Sequence, residues 1–217
     1  ARGANGMAGC RRWDHHVRRF ANKIMKLVLF DIDGTLLRSG GAGRRSMESA
    51  LQVALGTRGG GETDYGGQTP HPIVRELMHR AGLDPEHVED TMQELMDIYL
   101  AGLHDALKLE QHRVMLYPGV PELLDALENQ DNVTIGLLTG NVEVGARKKL
   151  VAAGLDPDRF RVNAFGSDHA HRPELPGIAQ RRAKEILGID VKGDRIIVIG
   201  DTPADIDCGR SIGARAI

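Results

Sequence analysis

Four short polar stretches, far apart in the chain, carry side chains that could do chemistry together. The first is Asp31-Ile32-Asp33-Gly34-Thr35 and the second Thr139-Gly140-Asn141. The third runs from Ser167-Asp168 to Arg172, and the fourth is Gly200-Asp201 with Asp205 one helical turn on. Three or four carboxylates gathered in one place repel each other unless a cation sits among them, and hard oxygen ligands without His or Cys suit Mg²⁺. Alternation along the strand end is expected to point Asp31 and Asp33 differently, with Gly34 letting the backbone turn sharply. One carboxylate could then attack while the other handles protons. Phosphoryl transfer needs an in-line nucleophile, charge neutralisation on the equatorial oxygens and a proton for the leaving oxygen. Asp31, then Mg²⁺ with Thr139 and Arg172, then Asp33 would supply these.

Such a gathering requires elements that deliver all four stretches to one rim. Each follows, or leads on from, a short apolar run: residues 26–30, 133–138, 160–165 and 195–199. Runs of this kind suit buried parallel strands. Helical patterns separate them, at 121–127, at 143–153 ending before Gly154, and at 178–187 ending before Gly188. Glycine after a periodic run is a C-cap signal. Strands alternating with helices predict an α/β fold with a doubly wound, Rossmann-like parallel sheet, and ligands bind such sheets at the carboxyl ends of the strands.

A crossover between neighbouring parallel strands needs far fewer residues than the 39–117 interval supplies. Met47, Ala50, Leu51, Ala54 and Leu55 recur at helical spacing, as do Ile73, Val74, Leu77, Met78 and Ala81 before Gly82. Val88, Met92, Leu95, Met96, Tyr99, Leu103 and Leu107 mark a longer helix. Residues 39–117 are therefore expected to form an inserted helical cap domain. The α/β core would comprise 24–38 and 118–217, and residues 1–23 a disordered N-terminal extension. The hinges would be the glycine-rich 39–43 and the segment before Pro118-Gly119. Residues 213–217 read as the start of another strand, so the C-terminal edge strand is expected to be truncated.

Composition narrows the class. The formal net charge is −2, hydrophobic residues make up 41% and aromatics 4%. A core is affordable, whereas neither a basic field nor a set of stacking platforms for nucleic acid is present. No stretch has the apolar length of a membrane span, so neither a membrane nor a nucleic acid is an expected partner. Cys10 and Cys208 form no disulfide framework, and a reducing, cytoplasmic setting is the default. The Gly59-Gly60-Gly61 run lacks the Lys-Ser/Thr ending of a P-loop.

Taken in order, these stretches resemble the haloacid dehalogenase superfamily in its phosphatase branch, closest to phosphoglycolate-phosphatase-like hydrolases. Residues 31–35 match its first motif, Leu138-Thr139-Gly140-Asn141 its second and Gly200-Asp201 through Asp205 its fourth. Arg172-Pro173-Glu174 resembles the third, where the family usually has Lys before Pro. The resemblance implies that Asp31 forms an aspartyl-phosphate, and that Asp33 protonates the leaving alcohol and then activates water. It implies Mg²⁺ held by Asp31, Asp201 and the Asp33 carbonyl, with Asp205 binding or orienting the metal's water shell. Thr139, Gly140 and Asn141 would grip phosphoryl oxygens, as would Gly34 and Thr35 in the first loop, and Arg172 would stabilise the transferring group. The implied partner is a small phosphorylated metabolite.

Blander readings accompany several residues. Lys148, Lys149 and Lys184 are rivals to Arg172 but sit in apparent helices and are expected to face solvent. His169 and His171 read as a polar loop, Cys208 as packing, and Gln68, Thr69 and Arg75 as cap surface that could touch substrate. Two other functions remain open: a β-phosphoglucomutase-type phosphotransferase and a receiver-like phosphoacceptor domain. Thr35 favours a phosphatase over a mutase, and a receiver would lack both the helical insert and the 200–205 motif.

Overall fold

The computed structural model describes residues 25–57, 66–80, 82–83 and 88–217. The expected N-terminal extension, the 59–61 glycine run, Ala81 and Cys10 lie outside them. In chain order the elements are β1 (Lys26–Phe30), β2 (Leu37–Arg38), α1 (Ala42–Leu55), α2 (Pro70–Arg80), α3 (Val88–Leu109), β3 (Met115–Leu116), α4 (Val120–Glu128), β4 (Val133–Leu138), α5 (Glu143–Ala152), β5 (Val162–Ala164), α6 (Leu175–Leu187), β6 (Ile196–Ile199), α7 (Pro203–Ser211) and β7 (Arg215–Ala216).

Five parallel strands form one sheet in the order β5-β4-β1-β6-β7. β1 is central because both of its faces are apolar. Val28 and Phe30 pack with Ile135 and Leu137 beneath Val120 and Leu124 of α4 and Ala146 and Leu150 of α5. Leu27 and Leu29 face the other way, onto Leu175, Ala179 and Ala183 of α6 and Cys208 of α7. Helices therefore cover both faces, and the sheet is doubly wound as expected.

Two strands are shorter than their apolar runs. β5 stops at Ala164 because the Phe165 N–H is taken by the Asp168 carboxylate, at 2.8 Å, instead of by a neighbouring strand. β6 begins at Ile196 because Arg195 closes a 3₁₀ turn. The stretch 213–217 contains β7, a two-residue strand that extends the sheet beyond β6.

Helices α1, α2 and α3 pack around a separate cluster that includes Met47, Leu51, Ile73, Leu77, Leu95 and Leu103. The apolar periodicity of the 39–117 interval thus describes a second core. The chain enters and leaves it through a two-stranded antiparallel ribbon, with Leu37 opposite Leu116 and Arg38 opposite Met115. The glycine-rich 39–43 stretch is less of a loop than its composition suggests. Gly40 and Gly41 make the turn at positive φ, but α1 has begun by Ala42, so Gly43 is helical. The helical unit leans on α5 at Gly145, where an added Cβ would lie 3.4 Å from Leu103 and 3.6 Å from Leu100. No helix among the described residues is long and apolar enough to cross a membrane.

Candidate active site

The strand ends converge where the sheet's carboxyl edge meets the helical unit. Asp31 follows β1 directly, and its N–H still donates to Ile199 O of β6 at 2.9 Å. The side chain is therefore fixed by the ladder, and it is only 3% exposed. Beyond it the chain leaves the sheet. The N–H groups of Leu36 and Leu37 return to Ile32 O, and Gly34 adopts φ +90°. Only glycine fits there: a Cβ would fall 2.0 Å from Asp201 Oδ2. This turn gives Asp31 and Asp33 different partners. The expected cause, strand alternation, is corrected here: residues two apart in a strand share a face, and the turn is what separates the two acids.

Thr139 is buried at the end of β4, its N–H donating to Ala164 O at 3.1 Å. Its Oγ1 accepts from the Asn141 amide Nδ2 at 2.8 Å. Arg172 lies on a 3₁₀ turn before α6, buried, with Nη2 2.5 Å from Asp205 Oδ1 and 3.4 Å from Asp31 Oδ1. Asp205 is held from its other side, Oδ2 accepting from Thr202 N at 3.0 Å and Thr202 Oγ1 at 2.7 Å at the start of α7. Asp201 is exposed and accepts from Thr35 Oγ1 at 3.2 Å.

One oxygen from each of Asp31, Asp201 and Asp205 lies within 4.8 Å of the others. Asp31 Oδ1 is buried and accepts no hydrogen bond. A hard divalent cation fits this set: three carboxylates, no soft donor, and a buried oxygen on Asp31 that has the Arg172 charge 3.4 Å away but accepts no hydrogen bond. Asp205 is the most committed of the three, since both of its oxygens already have donors.

Asp33 is surrounded differently. Its Oδ2 accepts from Lys149 Nζ at 2.5 Å and Asn141 Nδ2 at 2.9 Å, and its Oδ1 from Ser39 Oγ at 3.1 Å. Lys149 Nζ also donates to Asn141 Oδ1 at 2.8 Å. The lysine was expected to face solvent, and the structure corrects this, because its side chain is only 4% exposed. The signal was there: Gly145, Ala146, Lys149 and Leu150 form one stripe of α5, and the stripe is buried. Of the other candidate lysines, Lys148 Nζ donates to Leu100 O at 3.2 Å and Lys184 is exposed.

Electrostatics separate the two aspartates. Burial pushes the Asp31 carboxyl up to about 6; the Arg172 charge pulls it down, Asp205 pushes it up, and a hydrogen bond from Thr139 lowers it. Burial also acts to raise Asp33, but the charge and hydrogen bond of Lys149, with Asn141 and Ser39, hold it below the usual carboxylate range. Burial would lower the Lys149 ammonium, yet Asp33 beside it, with Tyr99 and Asp31, keeps it raised.

These groups border a cavity of about 440 Å³ between sheet and helical unit. Asp31, Asp33, Gly34, Thr139, Gly140, Asn141, Arg172 and Asp201 all line it. Thr35 and Asp205 sit just behind, holding Asp201 and Arg172. The third stretch is only partly recruited. Asp168 is turned away into a two-pronged ion pair with Arg182, at 2.6 and 2.8 Å. Gln68 lines the cavity, Thr69 is buried and donates to Ala170 O, and Arg75 is exposed outside the lining. His169 and His171 bond to each other in an exposed loop. Cys208 is buried against Arg172 O.

A family model described as haloacid dehalogenase-like hydrolase matches residues 25–213. The fold is similar to that of a hydrolase from Pseudomonas syringae, at 21% identity and TM-score 0.67, covering 88% of this chain and 83% of that one. A predicted phosphoglycolate phosphatase from Haemophilus somnus is 22% identical with TM-score 0.62, covering 90% and 85%. CbbY from Rhodobacter sphaeroides, in complex with phosphate, is 20% identical with TM-score 0.59, covering 88% and 84%. No match is found among curated proteins.

Proposed function

The chain belongs to the haloacid dehalogenase-like hydrolase family, and from that premise we propose that it is a magnesium-dependent phosphatase acting on a small phosphorylated metabolite. The observation that carries this reading is the company of Asp31: a buried carboxylate with one oxygen that accepts no hydrogen bond, 3.4 Å from Arg172 and beside two further acids at the edge of a cavity. A carboxylate so placed is a nucleophile awaiting an electrophile that brings negative charge of its own.

In this reading Asp31 attacks phosphorus and forms an aspartyl-phosphate, which water then cleaves. Asp31, Asp201 and the Asp33 carbonyl would hold Mg²⁺, with Asp205 fixing its water shell. The ion would neutralise charge on the phosphoryl oxygens. Arg172 adds a fixed positive charge on the same side. Thr139 and the backbone at Gly140 and Asn141 would grip the remaining oxygens at the start of α5. Asp33 passes a proton to the leaving alcohol and then takes one from the attacking water.

Residues 39–117 serve as the cap over a core of 24–38 and 118–217. Arg38, Met47, Ile73 and Tyr99 line the cavity from the cap side and its ribbon, so the cap selects small substrates and excludes water. The fold shared with a predicted phosphoglycolate phosphatase supports short phosphorylated acids as the first substrates to try. The sparse cysteine content supports a cytoplasmic setting.

The reading is tested with p-nitrophenyl phosphate in Mg²⁺. Asp31→Asn should bring turnover below detection, a loss of at least about 10⁴-fold, and EDTA should do the same to the unaltered protein. Full activity of the variant removes the covalent mechanism, and full activity in EDTA removes the metal.

A further inference from the structure

Asp33 can serve a leaving oxygen only if its carboxylate is held at the right place and angle, because general acid–base help depends on near-contact geometry. Yet Asp33 lies on the turn after β1, outside the ladder that fixes Asp31, and its side chain is 40% exposed to the cavity. Something other than the sheet must fix it.

Resting on the phosphatase reading above, we infer that Lys149 is the positioning residue for Asp33. Its ammonium, 2.5 Å from Asp33 Oδ2 and 2.8 Å from Asn141 Oδ1, ties the two side chains into one unit. Asn141 in turn donates to both Asp33 Oδ2 and Thr139 Oγ1. A continuous set of hydrogen bonds thus runs from Lys149 through Asp33 and Asn141 to Thr139, which touches the nucleophile. Lys149 is on a regular helix of the core, so it carries the rigidity of α5 to a carboxylate whose own backbone is a turn.

The lysine is also roofed by the helical unit. A Cβ on Gly43 of α1 would lie 3.1 Å from Lys149 Nζ and 3.8 Å from the Tyr99 hydroxyl of α3. The absence of a side chain at Gly43 leaves room for the ammonium directly under the first turn of α1. With Ser39 holding the second oxygen of Asp33, the carboxylate is gripped from the core by Lys149 and from the base of the cap by Ser39. Among the described residues Lys149 hydrogen-bonds Asp33 and Asn141, and its charge reaches Asp31 without contact, so the double-mutant cycle below decides whether its effect on turnover passes through Asp33.

The test is a double-mutant cycle on p-nitrophenyl phosphate turnover with the unaltered protein, Lys149→Met, Asp33→Asn and the double variant. Lys149→Met is expected to lower kcat by about 10²-fold, with KM changed by less than about threefold. The double variant is expected to be no more than about threefold slower than Asp33→Asn alone, because the group being positioned has gone. Losses that multiply in the double variant overturn the inference, and so does a rise in KM at unchanged kcat, which would mean that Lys149 grips substrate. Lys149→Met takes the ammonium from Asp33 and leaves it only the Asn141 and Ser39 donors, so Lys149→Gln, which keeps a donor in the same space, is run through the same cycle if the first variant does not fold. It should lose less kcat than Lys149→Met and show the same non-additivity. If the unaltered protein hydrolyses no phosphate ester, the phosphatase reading falls and this inference with it. If that protein is active and the losses multiply, only the inference falls.

Discussion

Asp31 and Asp33 stand two residues apart, and the molecule treats them as opposites. Asp31 is set by the sheet: its backbone continues the β1–β6 ladder, its side chain is buried, and its cation is shared, since Arg172 lies closer to Asp205 than to Asp31. Asp33 is set by side chains from three separate places, Ser39 at the base of the helical unit, Asn141 after β4 and Lys149 on α5. One carboxyl is pushed up to about 6 by burial and the other is held low by a neighbouring ammonium. The rigid one suits attack on phosphorus; the tethered, more exposed one, ionised beside Lys149, suits taking a proton from the attacking water, and gives one to a leaving oxygen only after it has itself been protonated.

After the loss expected of Asp31→Asn, the largest effect that bears on this contrast should come from the Asp33 side. Asp33→Asn removes acid–base help while keeping shape and hydrogen-bonding capacity, and should cost about 10²–10⁴-fold in kcat. Unimpaired turnover would erase the division of roles. Next comes the cation that Asp31 shares with Asp205. Arg172→Met leaves two buried carboxylates facing each other, and in EDTA should destabilise the fold by about 3–5 kcal/mol in urea unfolding. A loss below about 1 kcal/mol would mean that Arg172 does not compensate them.

The smallest effect is the one that separates the two acids by pH. A carboxyl raised in the folded state binds its proton there first, so burying it ionised costs stability above its folded value, and the cost is relieved as pH falls. In metal-free protein Asp31 should therefore contribute a gain in stability on going from pH 7 to pH 4. Asp31→Asn should remove that slope and stabilise the protein at pH 7. The gap between about 6 and 3.8, at about 1.36 kcal/mol per pH unit, caps the gain at about 3 kcal/mol. Asp33 has the opposite sign: its contribution is present above the ordinary carboxylate value of 3.8 and is lost as pH falls through its lower folded value. Equal stability of Asp31→Asn and the unaltered protein at pH 7 in EDTA would contradict the burial cost assigned to Asp31.

Much of the architecture was legible in the residue pattern. The apolar runs at 26–30 and 133–138 coincide with β1 and β4, and the three periodic stretches between them with α1, α2 and α3. Strand ends were less legible, because β5 is cut short by a side chain, Asp168, competing for a backbone N–H, which an apolar run does not reveal. That same aspartate read as part of the site, yet it pairs with Arg182 instead, a partner brought close by the packing of α6 on β5. Lys149 shows the reverse error. A lysine in a helix is ordinarily a solvated residue, and only its place on the Gly145–Ala146–Leu150 stripe marked it as buried.

By its order of residues alone, the chain determined which groups could act and on which strand ends they would sit, since alternating strands and helices leave one carboxyl edge on which Asp31, Thr139 and Asp201 must meet. The tertiary structure decided which charge belongs to which acid. Arg172 turns to Asp205 and Asp31, Arg182 takes Asp168, and Lys149 takes Asp33. The reason is physical. A strand end is specified by local periodicity, whereas an ion pair between residues 116 positions apart depends on how two packed layers happen to face each other, and the burial that gives the pair its strength exists only once they have closed.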